Sequence, residues 1–167
     1  FGDKLDIMIP LNQDTMNRHL GLMNEGSAVL YNGDKIKPRE AATGVQLCPF
    51  SVKELAPNIK GDLVQNTIAL ASVLQLIGVE FKMLEDILTL QFKRKGQAVI
   101  DENVGVARAG YEYAASHFKS LPFSLPKTGK PLAFFEGKQA LAMGGAAAGM
   151  RFYCAYPMSP SSGVLHW

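Results

Sequence analysis

The sequence has few of the residues that build metal, redox or disulfide sites. Its 167 residues include two cysteines, three histidines and one tryptophan. Cys48 and Cys154 form neither a Cys-x-x-Cys pair nor a zinc-binding spacing, and the histidines have no spacing typical of a metal site. We therefore predict no metal site. For the cysteines, we favour two buried, reduced residues of the kind found in cytoplasmic proteins over a pair of reactive thiols.

The sequence also lacks a strong charge of either sign and a long apolar run. Seventeen basic and fifteen acidic residues leave a net charge of +2, which is too weak to indicate a nucleic-acid or membrane-surface partner. The longest apolar run, 67–79, is interrupted by Gln75 and is shorter than the roughly 20 residues of a spanning helix. We expect no membrane segment and no signal peptide.

The length predicts about one domain of ordinary globular protein, and a hydrophobic content of 47% is enough for a core. The chain opens at Phe1 almost directly on an apolar segment, and it stops five residues after a turn that looks like part of a site. From these two features we expect a fragment that is cut at both ends.

The first part of the chain predicts an α/β fold. A helix with an N-cap at Asn12 or Asp14 should run to about Met23 and end at Glu25–Gly26. Short joints between strand, helix and strand favour a parallel sheet. Residues 35–43 are too polar for a core strand and should form a loop. The predicted strands are the apolar segments 5–11, 27–31 and 45–50.

Helical periodicity follows from about Lys60 to Phe118. The first predicted helix ends at a Gly78 C-cap, and the second ends at 93–96. The third, 100–118, is one long amphipathic helix that is too short for a coiled coil. The predicted buried positions are Leu63, Thr67, Leu70, Leu74 and Ile77, then Leu84, Ile87, Leu88 and Gln91, then Ile100, Val104, Ala107, Tyr111, Ala114 and Phe118.

Composition changes at 119–131, where prolines and a glycine predict a linker. An Ala- and Gly-rich helix should follow and lead into an apolar strand over about 150–156. Gly144, Gly145 and Gly149 do not have the spacing of a dinucleotide fingerprint. We instead expect the first two to allow close packing of the helix on a sheet, and Gly149 to end the helix.

The turn after this predicted strand, 157–162, is the best candidate site. Its two prolines fix the backbone, and in open α/β sheets ligands bind beyond the carboxyl ends of strands. Its three hydroxyls and the start of the next helix could hold a carboxylate or phosphate. Alternatively, Ser161 or Ser162 only caps that helix. The residues alone leave both interpretations open.

A basic cluster at Lys93, Arg94 and Lys95 is a weaker candidate. It could hold the phosphates of a nucleotide-bearing ligand. The favoured interpretation is a solvated helix C-terminus, which basic side chains stabilise through the helix dipole. We find no paired carboxylates placed for acid–base catalysis, and no nucleophile triad.

Five segments resemble one enzyme family. Residues 136–165 resemble the start of the pyrimidine-side domain in alpha subunits of 2-oxoacid:ferredoxin oxidoreductases. Residues 11–20, 91–96 and 107–114 resemble the gamma-type domain of the same family, and 125–131 resemble the connector of its fused gamma–alpha subunits. The layout is most like the 2-oxoglutarate type, and Tyr156–Ser162 is its most specific part.

The resemblance implies an α/β fold in three parts. Residues 1–118 would be the C-terminal part of a gamma-type Rossmann-like domain, and 119–131 the linker. Residues 132–167 would be the first β-α-β of a domain that binds the pyrimidine side of thiamine diphosphate.

The resemblance also implies an activity: decarboxylation of a 2-oxoacid on thiamine diphosphate with Mg²⁺. The acyl group would pass to coenzyme A, and electrons would pass through iron–sulfur clusters to ferredoxin. In such an enzyme the metal motif and the clusters would lie on a beta subunit, within a hetero-oligomer. The residues implied near thiamine and substrate are Tyr156, Pro157, Ser159, Pro160, Ser161 and Ser162. Ser159 stands where Thr is common, and the basic cluster is at most a weak candidate for the coenzyme A phosphates.

This sequence lacks the family's activating glutamate and departs from its pattern at two places. Lys138–Gln139 stand where the family often has Asn-Glu, and His166 replaces a common Glu. We therefore expect the chain alone to be inactive. The alternative function is a non-catalytic α/β module for nucleotide binding or subunit interaction.

Overall fold

A computed structural model describes residues 3–39, 43–59, 63–126, 129, 132–159 and 161–166. The chain divides into two compact units, Phe1–Pro126 and Lys127–Trp167, named here the first and second units. Among the described helices, none combines the length and apolar character needed to cross a bilayer.

The first unit is built on a parallel sheet, as the sequence predicts. β1 (Leu5–Met8) and β3 (Gln46–Phe50) both pair in parallel with β2 (Met23–Asn32), so β2 is the central strand. Alternate side chains of β2 point to opposite faces: Val29 and Tyr31 belong to one apolar cluster, and Ala28 and Leu30 to another. Both faces are therefore covered, as is usual for parallel sheets.

The path into β2 differs from the prediction. The first helix, α1, spans only Gln13–His19, a 3-10 turn covers Leu20–Leu22, and β2 already begins at Met23. Gly26 does not break the structure, because its φ of +79° fits an irregular stretch of strand and its N–H donates to Gly44 O at 2.8 Å. The β1–β2 register also shifts between Leu5 and Ile7.

Asn12 is the N-cap of α1, as predicted. Its Oδ1 accepts a hydrogen bond from Thr15 N at 2.8 Å. Asp14 is not the cap; it forms an exposed ion pair with Arg18 at 2.8 Å. Met16 is fully buried beneath one face of the sheet. This side chain anchors the helix.

Among the described residues of the first unit, four α-helices follow β3: α2 (Val52–Leu55), α3 (Leu63–Leu76), α4 (Phe81–Phe92) and α5 (Gln97–His117). The expected start of α3 at Lys60 lies outside the described residues. The predicted buried face of α3 is wrong at Leu70, which is 46% exposed, whereas Ala69, Ala71 and Ser72 are buried. Because α3 lies between the sheet and α5, it has two contact faces, and a single-stripe pattern does not apply.

The other helical faces follow the predicted pattern more closely. In α4, Leu84 and Leu88 are buried as predicted, but Ile87 is 58% exposed and Gln91 is also exposed. Ile100, Ala107 and Ala114 of α5 are buried, and the other three predicted residues, Val104, Tyr111 and Phe118, are partly buried against the core.

Gly78 ends α3 as predicted. It has φ of +74°, and its N–H donates to Gln75 O at 3.0 Å while Val79 N donates to Leu74 O at 2.8 Å. These two bonds are the Schellman pattern, which satisfies carbonyls that the helix end would otherwise leave unpaired.

Residues 119–126 of the predicted linker belong to the first unit. Leu121 is buried in the core beside α3, and its N–H donates to Leu76 O at 2.9 Å. The side-chain amide of Gln46 makes two 3.0 Å hydrogen bonds with the backbone of Lys119. Positions 127, 128, 130 and 131 lie outside the described residues, and the domain assignment stays a prediction.

The second unit contains α6 (Gly137–Ala147) and α7 (Ser161–Leu165). Gly149 ends α6 as predicted, with φ of +89° and the same Schellman bonds. The predicted strand is wrong: residues 150–156, all of them described, are neither helix nor strand.

The prediction of two buried cysteines is half correct. Cys48 is buried, whereas Cys154 is exposed.

The expected packing of Gly144 and Gly145 on a sheet is also wrong. A Cβ added at Gly144 would have no atom within 4 Å, and one at Gly145 would lie 2.9 Å from Met150 Cε. Gly145 therefore makes room for the side chain that follows the helix end, and not for a strand.

Candidate functional site

The turn before α7 is held by its own hydrogen bonds. Met158 N donates to Tyr156 O at 2.7 Å, and Ser162 N donates to Met158 O at 3.1 Å. The Ser161 hydroxyl lies 2.9 Å from Tyr156 O and 2.6 Å from Met158 O, so it can donate to either carbonyl. Ser161 therefore fixes the turn instead of facing a ligand.

Ser159 is the exposed hydroxyl of this turn. Within the described part of the chain, neither Ser159 nor the half-buried Ser162 has a hydrogen-bond partner for its side chain. Tyr156 and Met158 beside it are 79% and 61% exposed. The turn thus presents a free hydroxyl between apolar side chains, a combination that can contact a ring and donate to an anion.

The capping interpretation of the turn changes with the structure. α7 begins at Ser161, so Ser161 and Ser162 are helical residues and not the N-cap. The preceding Pro160, which the sequence assigns to the site, lies outside the described residues. Because α7 has only five residues, its dipole can add little to anion binding.

The amino end of α6 contains a capping motif that was not predicted from the sequence. Glu136 and Gln139 form a capping box: the Glu136 side chain accepts from the Gln139 backbone, and Glu136 N donates to Gln139 Oε1 at 2.9 Å. Lys138 forms an ion pair with Glu136. The Glu-x-x-Gln spacing was the available signal, and it gives Gln139 a structural role.

Lys93, Arg94 and Lys95 form a 3-10 turn after α4 and are exposed. Lys95 Nζ lies 5.3 Å from the centre of the Phe92 ring, and no ion pair to the three side chains occurs among the residues described. Lys95 also lines a cleft of about 440 Å³. Its other lining residues are Ile59, Val64, Asn66, Thr67, Phe92, Val99, Glu102, Asn103 and Val106.

The carboxyl edge of the sheet, where ligands bind in many α/β proteins, is here occupied by internal hydrogen bonds. Asp34 accepts from Ser51 Oγ at 2.9 Å and from Lys53 N at 3.2 Å. Slight desolvation acts to raise the pKa of Asp34, but these hydrogen bonds outweigh it and lower the pKa. Asn32 Nδ2 donates to Gln65 Oε1 at 3.3 Å. This edge is stabilised by its own side chains.

The family-like segment 107–114 makes packing contacts. Arg108 lies 4.2 Å from the centre of the Phe81 ring and 3.4 Å from Glu85. Gly110 lies against the backbone of Ile68, and Tyr111 Oη donates to Val79 O at 2.8 Å. These contacts position α5 against the rest of the first unit.

The segment 11–20 has a similar role. The Gln13 side chain donates to Lys37 O at 2.9 Å and accepts from Lys37 N at 2.8 Å, which fixes the loop after β2 to α1.

In the described part of the chain, no three His, Cys, Asp or Glu side chains are grouped as a metal site would require.

Comparison with known proteins identifies the family. The family described as pyruvate ferredoxin/flavodoxin oxidoreductase matches residues 2–113. Subunit alpha of 2-oxoacid:ferredoxin oxidoreductase 2 from Aeropyrum pernix is 32% identical over 64% of this chain and 17% of its own length. The KorA subunit of 2-oxoglutarate oxidoreductase from Mycobacterium tuberculosis is 23% identical over 99% of this chain and 30% of its own length.

Two solved structures are also similar. The 2-oxoglutarate:ferredoxin oxidoreductase of Magnetococcus marinus, with 2-oxoglutarate, coenzyme A and succinyl-CoA bound, matches with a TM-score of 0.85 and 26% identity over 99% of this chain and 30% of that one. The gamma subunit of a Geobacter sulfurreducens keto/oxoacid ferredoxin oxidoreductase matches in fold, with a TM-score of 0.54 and 21% identity over 66% of this chain and 64% of that one.

The chain spans less than a third of the length of the two curated relatives. The resemblance seen in the sequence is confirmed by a family match that covers most of the first unit. The chain belongs to the pyruvate ferredoxin/flavodoxin oxidoreductase family and corresponds to part of a 2-oxoacid:ferredoxin oxidoreductase subunit.

Proposed function

We propose that this chain is part of the alpha subunit of a thiamine-diphosphate-dependent 2-oxoacid:ferredoxin oxidoreductase. The reaction converts a 2-oxoacid and coenzyme A into acyl-CoA and CO₂, and passes an electron pair to ferredoxin. 2-Oxoglutarate is the first substrate to test. The main support is the similarity of nearly the whole chain to the Magnetococcus marinus enzyme, whose structure holds 2-oxoglutarate, coenzyme A and succinyl-CoA.

Ser159 is the residue of this chain that we assign to the substrate. Its exposed hydroxyl can donate to the 2-oxoacid carboxylate or lie against the thiamine ring, while Tyr156 and Pro157 provide adjacent contact surface. Ser161 and Ser162 belong to the same turn, and the bonds of Ser161 fix its shape. Bound thiamine diphosphate supplies the electron sink for decarboxylation; the chain's own contribution is to bind and orient the carboxylate.

We assign the metal ion and the electron carriers of the reaction to another subunit. By the family resemblance, the Mg²⁺–diphosphate motif and the iron–sulfur clusters belong to a partner subunit or domain, and we assign them to a beta subunit. The working enzyme is then a cytoplasmic hetero-oligomer of alpha and beta subunits that meets ferredoxin. The cluster of Lys93, Arg94 and Lys95 is a secondary candidate for the coenzyme A phosphates.

Replacement of Ser159 in the complete enzyme tests the assignment. A hydrogen bond to a charged group contributes about 1.5–3 kcal/mol, so Ser159→Ala should lower kcat/KM for the 2-oxoacid by about ten- to a hundredfold. Ser159→Thr keeps the hydroxyl and should be nearly neutral. Steady-state kinetics with each variant, at saturating coenzyme A, measure the effect.

Ser161→Ala is the matched control within the same turn. Within the described part of the chain, the hydroxyl that it removes bonds to the carbonyls of Tyr156 and Met158, so the variant should lower the melting temperature of the enzyme. Unchanged kinetics for Ser159→Ala would remove Ser159 from the site.

The 167-residue chain alone should show no turnover. It lacks an activating glutamate recognisable by the family pattern, and its described part groups no metal ligands. The assay contains 2-oxoglutarate, coenzyme A, thiamine diphosphate, Mg²⁺ and a viologen acceptor. Viologen reduction above background by the purified chain would contradict this expectation. Should the complete enzyme also be inactive with every 2-oxoacid, the non-catalytic interaction module becomes the better interpretation.

A further inference from the structure

The side chain of Lys138 on α6 lies against the backbone of α7. A Cβ added at Gly163 of α7 would lie 2.5 Å from Lys138 Cδ and 3.4 Å from Lys138 Cβ and Cγ. Unbonded carbons in a packed protein do not approach each other as closely as 2.5 Å. Position 163 therefore has room only for glycine while the lysine keeps this conformation.

The ammonium end of the same side chain is bound to the amino end of α6. Lys138 forms an ion pair with Glu136, which is the N-cap of this helix. Both side chains of the pair are about half exposed, and such pairs add little to stability. The pair instead restricts the lysine side chain, so that its carbons stay over Gly163.

The position of α7 determines the shape of the candidate turn. α7 begins at Ser161, whose hydroxyl bonds to the carbonyls of Tyr156 and Met158. The N–H of Ser162 also donates to Met158 O at 3.1 Å. Because these bonds tie the turn to the first residues of the helix, a displacement of α7 must also move Ser159, which lies between them.

We infer that Lys138 is a positioning residue of the candidate site. It holds α7 against the amino end of α6 and thereby sets the orientation of the Ser159 hydroxyl. Its ammonium group is paired with Glu136, so Lys138 acts through Ser159 and not on the substrate. The expected effect on catalysis rests on the proposed function, whereas the contact between the two helices does not.

Hydrogen exchange of the complete enzyme without substrate tests the helix contact alone. Lys138→Ala removes the carbons that cover Gly163, and Gly163→Ala forces them aside, so both changes should speed the exchange of the backbone amides in 157–165 severalfold. Lys138→Arg keeps the charge and the three carbons, so exchange should stay at the parent rate. Gly144→Ala is the matched control for the added methyl group, because a Cβ there meets no atom within 4 Å.

Steady-state kinetics at saturating coenzyme A test the route through Ser159. Lys138→Ala should lower kcat/KM for the 2-oxoacid by about three- to tenfold, less than Ser159→Ala, because a displaced hydroxyl keeps part of its hydrogen bond. In the Ser159→Ala background the same change should have almost no further effect, since the hydroxyl that Lys138 positions is absent. Lys138→Arg should keep kcat/KM near the parent value.

Three results for Lys138→Ala would overturn the inference. The first is unchanged exchange in 157–165. The second is an unchanged kcat/KM in an enzyme that Ser159→Ala impairs. The third is a loss of kcat/KM that is as large in the Ser159→Ala background as in the parent, because Lys138 would then act independently of Ser159. Unchanged kinetics for Ser159→Ala would instead reject the proposed role of Ser159, and the exchange rates would still decide whether Lys138 holds the turn.

Discussion

The two units use their family-like segments in opposite ways. In the first unit, Gln13 makes hydrogen bonds within the unit, and Gly110 packs closely against Ile68. In the second unit, the turn at 156–162 leaves Ser159 exposed with a free hydroxyl. Resemblance to a family therefore marks the scaffold in the first unit and the candidate chemistry in the second. This distinction comes from burial and hydrogen bonding, which the sequence patterns alone do not show.

The strongest test of the scaffold is Gly110→Ala. A Cβ at Gly110 would lie 2.9 Å from Ile68 O and 3.0 Å from Ile68 Cα, and these backbone atoms cannot rotate away. Buried Ser72 bonds to the carbonyls of both residues, at 2.9 and 3.0 Å. We expect Gly110→Ala to lower the free energy of unfolding by about 1–3 kcal/mol.

Gly105→Ala, in the same helix, is the control for helix propensity. A Cβ there meets no atom within 4 Å, so the change should stabilise the protein by up to about 1 kcal/mol. Urea unfolding measures both variants. Equal effects would show that α3 and α5 do not approach as closely as described.

The two cysteines, one in each unit, should differ in their reactivity toward thiol reagents. Cys48, a residue of β3, is fully buried, and burial raises the pKa of its thiol to about 11, despite an opposing hydrogen bond to Gln46. Cys154 is exposed. A thiol reagent at neutral pH should therefore label one thiol in the native protein and the second only after unfolding. Rapid labelling of Cys48 in a Cys154→Ser variant would contradict the packing of the first unit.

Cys48 also predicts a pH dependence of stability. From the model-compound pKa of 9.0 upward the unfolded thiol loses its proton, while the folded thiol keeps it until about 11. The unfolded state then binds fewer protons, so the free energy of unfolding should fall as pH rises through this window. Cys48→Ala, compared with the parent by urea unfolding at pH 8 and 10, should show a smaller decline.

The smallest effect is expected from the basic cluster. Charges at a helix C-terminus contribute about 0.3–1 kcal/mol through the dipole, which explains Lys93, Arg94 and Lys95 without a ligand. In the complete enzyme, changing all three to Gln should raise the KM for coenzyme A by less than about tenfold, or 1.4 kcal/mol. A larger rise would make the cleft beside Lys95 part of the coenzyme A site.

The sequence predicted those parts of the fold that depend on local signals. The parallel sheet, the Asn12 cap, both glycine helix ends and the buried face of α5 are confirmed. The errors arise where tertiary contacts override a local pattern. Leu70 is exposed because small residues of α3 fill the contacts on its two sides, and Gly26 is tolerated in β2 because it pairs with Gly44.

The turn that carries the candidate site could be predicted from the sequence, but the hydrogen bonding of its side chains could not. The prolines and serines of 157–162 identified the turn, but the residue types could not show which hydroxyl bonds to the backbone within the turn. That depends on the backbone path, which directs Ser161 Oγ to two carbonyls and leaves Ser159 without a partner in the described structure. The apolar composition of 150–156 suggested a strand, yet a strand also needs a paired neighbour, and none is present among the described residues.

The bond between Gln46 and residue 119 has a consequence for protein engineering. The Gln46 side chain bonds to the main-chain N–H and C=O at position 119, so any residue other than proline can occupy that position. Gln46 itself is hard to replace, because its amide makes both bonds. The side chain of Leu121 supplies the remaining anchorage. A fusion junction placed after Pro122 would therefore retain the anchor, and foreign domains could be attached there without disturbing the sheet beneath.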